Sequence, residues 1–173
     1  MTTAAPSFQQ AMEITAQWLN LWDSGELSDE VLADRIAELV TSRDGARGFF
    51  VITLAGEAPL FDRLPEPLVI KLREQGGSVV DLTVRNLAMS TAMMVVHHRQ
   101  SDEQQQSGSE RVAERCTTLL RLLDPTLVKN RLEQLLSAVS NHEGEDVNFL
   151  ERWGYDAEQK NAIKAALEAV AES

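Results

Sequence analysis

Residues 78–99, SVVDLTVRNLAMSTAMMVVHHR, form the longest stretch with too few charges to be solvated on all sides. At 3.6 residues per turn its valines, leucines, alanines and methionines cover nearly the whole helical circumference. A helix apolar all round is a buried one, so the stretch predicts a central helix around which the remaining elements pack. A membrane span fits less well. Asp81, Arg85 and Asn86 interrupt the apolar run, and each charge near a bilayer centre costs about 2.5 to 3.5 kcal/mol. Asp81 and Arg85 are four residues apart and can pair on the helix surface. Thr83, Asn86, Ser90 and His97 fall along one side as a polar seam.

Amphipathic periods elsewhere predict further helices. From Ser7, Phe8, Ala11, Met12, Leu19 and Trp22 share a face that ends at Ser24-Gly25. Ser28 reads as an N-cap with Asp29 and Glu30 in the first turn, and this second helix is expected to run to about Ser42. The segment GARGFFVITLAG is β-prone, but a buried strand needs a partner and none is evident, so helix is expected. Three of the five prolines then fall in GEAPLFDRLPEP, an expected ordered loop with Leu60 and Phe61 turned inward; Pro67 opens a short helix to Glu74. Gly76-Gly77 ends that helix, and Ser78 is expected to cap the central one.

Residues 100–110, with no apolar side chain, read as an exposed, mobile connection and a soft subdivision of a single domain spanning 1–173. Beyond it, the stripe Val112, Cys116, Leu119, Leu120 and Leu123 leads directly into Asp124 and Pro125, a cap and first helical residue, and then a second leucine stripe to Val139. A break at 140–144 precedes a short helix stopped by Gly154. Asp156 and Gln159 have capping-box spacing before the last stripe, Ala162 to Val170. The expected fold is all-α: a compact, orthogonal or bundle-like array of about seven to nine helices around a buried central helix at about 78–99.

The formal net charge of −11 is spread over both halves of the chain, with no basic lobe. Nucleic-acid binding needs a positive footprint to neutralise phosphates, so it is disfavoured, as is binding to an anionic membrane. One cysteine, Cys116, forbids an intrachain disulfide. The amino terminus has no basic segment ahead of an apolar block and does not read as a secretory signal, so a cytoplasmic location is expected.

No motif names a chemistry. Phosphate-cradling glycine loops, H-E-x-x-H, C-x-x-C, G-x-S-x-G and E-x-x-H are all absent, and no cofactor, metal site or catalytic residue is implied. His97 and His98 are adjacent and point about 100° apart on a helix, so they do not form the i, i+4 pair that grips a metal. His98 and Asp102 have that spacing only if the helix continues. Methionines 89, 93 and 94 read as gap-filling core. The acidic loop at 141–146 lacks the alternating ligands of a calcium site and reads as helix caps.

The expected function is that of a non-catalytic acidic helical protein acting through protein–protein interaction, with homodimerisation as one form of it. Trp18, Trp22 and Trp153 are the candidate anchors for a partner, because tryptophan is enriched in binding hot spots. The alternative is a small-molecule- or metal-binding helical bundle, with enzymatic activity as one form of it. It would use Asn86, Ser90, His97 and His98, closed by His142 or Cys116.

Overall fold

The computed structural model describes residues 5–171. Among them are nine α-helices and no strand. The fold class expected from the sequence is therefore found. The chain divides into two compact units, Met1–Val79 and Val80–Ser173.

The first unit contains α1 (Phe8–Asp23), α2 (Asp29–Leu39), α3 (Arg43–Ala55) and α4 (Glu66–Glu74), with α1 packed on α3 and α2 on α4. Its helices start where small oxygen-bearing side chains can take up free backbone amides. Ser7 caps α1 in a reciprocal box with Gln10, and Ser28 Oγ accepts from the Val31 amide at 3.2 Å. Ser42 Oγ accepts from the Gly45 amide at 3.1 Å. That cap shortens α2: the chain leaves the helix after Leu39 to free Ser42 as the start of α3, so α2 does not reach Ser42. The β-prone FFVITL is helical because burial recurs at Ala46, Phe49, Phe50, Thr53 and Leu54, a period of three to four residues. Phe49 and Phe50 meet edge to face at 5.2 Å, and Phe61 of the proline-rich loop closes on both at 6.4 and 6.5 Å. Leu60 and Phe61 are buried as expected. Each such side chain removed from water contributes about 1.5–3 kcal/mol, which fixes an otherwise irregular loop.

Where α1 crosses α3, Gly48 permits the approach. A Cβ placed there would lie 2.5 Å from the Ala11 Cβ and 2.9 Å from the Phe8 carbonyl oxygen.

Most of α5 (Gly77–Arg99) lies in the second unit, with α6 (Glu103–Leu122), α7 (Pro125–Asn141), α8 (Asp146–Trp153) and α9 (Ala157–Ala171). Here α7 packs on α8, and α6, α7 and α9 pack on one another. Helix α5 begins at Gly77, one residue before the expected cap. Ser78 sits inside the first turn and donates its hydroxyl to the Gln75 carbonyl oxygen at 3.2 Å. The glutamine-rich run is exposed over much of its length, yet from Glu103 onward it is helix. Asp102 supplies the cap by accepting from the Gln105 amide at 3.2 Å, and glutamine has good helix propensity. The α6–α7 corner forms as expected, with Asp124 Oδ1 accepting from the amides of Thr126 and Leu127. His142 and Gly154 end α7 and α8 in left-handed conformation.

Candidate functional site

Within the second unit, α5 is held by polar contacts along one flank. Asp81 Oδ1 accepts from Arg85 Nε at 3.3 Å, the expected i, i+4 pair, and from Arg131 Nε of α7 at 2.8 Å. Arg131 also grips Asp146, at the start of α8, through both terminal nitrogens at 2.6 and 2.8 Å. Burial works against the Arg131 charge, and the hydrogen bonds to Asp146 and Asp81 outweigh it, holding the guanidinium pKa above its ordinary value. Arg85 lies over the Phe149 ring at 5.4 Å. At the other end of α5, Arg99 reaches Asp156 at 2.8 Å and Glu158 at 2.9 Å, at the start of α9. Those bonds, to Asp156 first and Glu158 second, raise the Arg99 pKa, and Arg99 in turn lowers that of Asp156.

Between these anchors α5 is covered on one side only. Val80, Val84, Leu87, Ala88 and Ala92 are buried, whereas Leu82, Met89 and Val96 are partly exposed and Met93 is 41% exposed. The helix is long and apolar enough to cross a membrane by length and composition, and 50% of its most apolar window is buried in the fold.

The polar seam is present on the helix, and its Asn86 and Ser90 hydrogen-bond within the helix. Asn86 Nδ2 donates to the Leu82 carbonyl oxygen at 2.9 Å, and Ser90 Oγ donates to the Asn86 carbonyl oxygen at 2.8 Å. Thr83 is buried. His97 is partly buried, and its Nδ1 has no hydrogen-bond partner. His98 turns away from it and is exposed, lining an open depression of about 330 Å³ with Thr91, Met94, Gln106 and Glu158. The His98–Asp102 spacing does not close, because α5 stops at Arg99 and Asp102 caps α6.

His142 terminates α7 and pairs with Glu151 at 3.3 Å, on an exposed surface. Among the described residues no three histidine, cysteine or acidic side chains gather as a metal site. Cys116 is fully buried, and desolvation raises its pKa well above the ordinary thiol value. It packs as a small hydrophobe. A disulfide-exchange thiol reagent should therefore leave the native protein unlabelled and release one equivalent only after denaturant is added; rapid labelling of the native chain would contradict this.

The three tryptophans separate. Trp22 is buried, donates its indole N–H to Asp29 Oδ1 at 2.7 Å and lies under Arg63 at 5.8 Å. It is committed to the core of the first unit and is not an accessible anchor. Trp18 is partly buried beneath Arg35, 6.0 Å from the ring centre. Trp153, at the end of α8, is 52% exposed.

The sequence reading missed the Arg131–Asp146 clamp and the depression beside His98. Arg131 carried a signal: at three residues after Val128 and four before Leu135, it lies beside the buried stripe of α7. Its partners lie 50 and 15 residues away and left no local trace.

A family model described as Uncharacterised conserved protein UCP020893 matches residues 7–170. The chain belongs to that family. No curated protein and no solved structure matches it. The UCP020893 match runs from the Ser7 cap of α1 to Val170 in α9, so both compact units fall inside the family.

Proposed function

We propose that this UCP020893 family member is a non-catalytic binding protein that engages a protein partner through apolar side chains set in an acidic helical surface. The observation that carries the proposal is a contrast. Asn86 and Ser90, in the middle of the polar seam of α5, bond to the helix's own carbonyls, while Trp153 is left 52% exposed. An indole supplies a large rigid contact area at low entropic cost, which is why tryptophan dominates many interfaces. In this reading the protein works in the cytoplasm, bound neither to nucleic acid nor inserted in a membrane; its charge of −11 and lone buried cysteine support that setting.

The test is quantitative capture of partners by the tagged, full-length protein in lysate of its own source, compared with Trp153→Ala. A stoichiometric protein partner should bind the wild type and lose about 2 kcal/mol of affinity, roughly thirtyfold, with the variant, while circular dichroism stays unchanged. Native mass spectrometry of the gently isolated chain supplies the opposing outcome. A discrete non-protein mass that is retained by the wild type and disappears in the His97→Ala, His98→Ala double variant would overturn the proposal in favour of a small-molecule- or metal-binding bundle.

A further inference from the structure

The incompletely covered side of α5 has an order that generic surface exposure does not require. Leu82, Met89, Met93 and Val96 succeed one another at spacings of seven, four and three, and so form one strip along the helix. At a rise of 1.5 Å per residue the strip is about 21 Å long. Its midpoint is Met89: Leu82 lies seven residues before it and Val96 seven after. Asp81 stands beside one end of the strip and Arg99 beside the other. Their side chains remain 42% and 41% exposed although each already has partners in its own chain.

We propose that the strip is the docking surface for a second copy of this chain, with the two α5 helices crossing antiparallel at Met89. In that arrangement Met89 meets Met89, and Leu82 of each copy lies against Val96 of the other. Because a twofold axis across an antiparallel pair brings the same flank of both helices together, Asp81 of one copy comes opposite Arg99 of the other. A parallel pairing would instead set this flank on opposite sides of the two copies, so that neither Asp81 nor Arg99 meets its complement, and would align the two helix dipoles. The missing charge complementarity and the aligned dipoles select against that register. Methionine at the crossing suits a surface that must pack against its own copy, since the flexible thioether fills irregular gaps. A stable interface needs about 800 Å² per partner, more than one helical strip supplies, so the dimer is weak and depends on concentration.

The inference rests on reading the chain as an interaction protein, and it fails separately from the Trp153 test. Sedimentation equilibrium of the full chain should show a reversible shift from 19.2 kDa towards twice that mass as concentration rises into the range of about 10 to 100 μM. Met89→Glu with Met93→Glu should weaken the association by roughly a hundredfold, since carboxylates would be forced against an apolar strip. Both positions lie on the partly exposed side, and unchanged circular dichroism would verify that the double variant folds. Register is read by mixing Leu82→Cys chains with Val96→Cys chains and adding a short bis-maleimide. Efficient linkage in the mixture, and little in either variant alone, is the expected pattern. A chain that stays monomeric up to about 1 mM, a dimer indifferent to the glutamates, or linkage of Leu82→Cys to itself would each overturn the proposal. A monomer that still captures its partner through Trp153 would leave the proposed function standing.

Discussion

Replacing Arg131 with methionine is expected to destabilise the second unit by about 3 to 5 kcal/mol, the usual cost of removing one member of a buried ion pair. The Arg131 and Asp146 side chains retain only 11% and 9% of their exposure, so the substitution strands a carboxylate that water barely reaches. Two bonds of 2.6 and 2.8 Å to Asp146 and one of 2.8 Å to Asp81 are lost together. The loss would appear as a lower urea midpoint. It would also appear as amide exchange at least about a hundredfold faster in peptides from α7 and α8, where exchange follows opening of the unit. Combining Arg131→Met with Asp146→Leu should recover much of the stability, because the expensive species is the unpaired charge and not the missing bridge. If the single substitution costs less than about 1 kcal/mol, water must reach Asp146 far more readily than its burial allows.

The second large effect has the opposite sign from what helix propensity dictates. Glycine to alanine within an exposed helix stabilises by about 0.5–1 kcal/mol, and Gly108 in α6 should follow that rule, since a Cβ there meets nothing within 4 Å. Gly48→Ala should instead cost about 1–3 kcal/mol net, as overpacking does in a filled core. Its methyl would lie 2.5 Å from the Ala11 Cβ and 2.9 Å from the Phe8 carbonyl oxygen, and a backbone oxygen cannot swing aside. Thermal unfolding of the two single variants should therefore move the midpoint in opposite directions. Shifts of the same sign would mean that α1 and α3 can separate at that crossing without penalty.

These two cases also mark how far the sequence could be read. Several caps were legible because they are local. Ser28, Asp124 with Pro125, and Asp156 with Gln159 each act within three residues. The helical state of FFVITL was also legible, through the lack of a strand partner. What escaped the sequence depends on contact between distant segments. Nothing local to Gly48 reports that α1 crosses α3 there, against Ala11 and the Phe8 carbonyl. Asp81 was assigned to Arg85, its neighbour on the helix, while its shorter bond runs to Arg131 fifty residues away. The glutamine-rich run 100–110 was read from its solvation, and solvation does not separate an exposed loop from an exposed helix.

The candidate site was partly legible in the same sense. Period arithmetic placed Asn86, Ser90 and His97 on one side of α5, but it could not show that Asn86 and Ser90 would bond to carbonyls of their own helix. It offered Trp18, Trp22 and Trp153 as equals, and only burial separates them. Trp22 found an acceptor seven residues away in Asp29, whereas the end of α8 leaves Trp153 uncovered.

Gln159 joins two scales of the folding reaction. Its Oε1 accepts from the Asp156 amide at 3.0 Å, three residues away, and its Nε2 donates to the Ala92 carbonyl oxygen at 3.3 Å, across 67 residues of chain. The first bond forms on the timescale of helix initiation, while the second must wait for closure of a long loop, whose entropic cost grows with the logarithm of its length. One amide group thus serves both the nucleation of α9 and its arrest against α5. The carboxyl-terminal helix can begin to wind early, but its position is recorded only when the chain that preceded it by 67 residues is already in place.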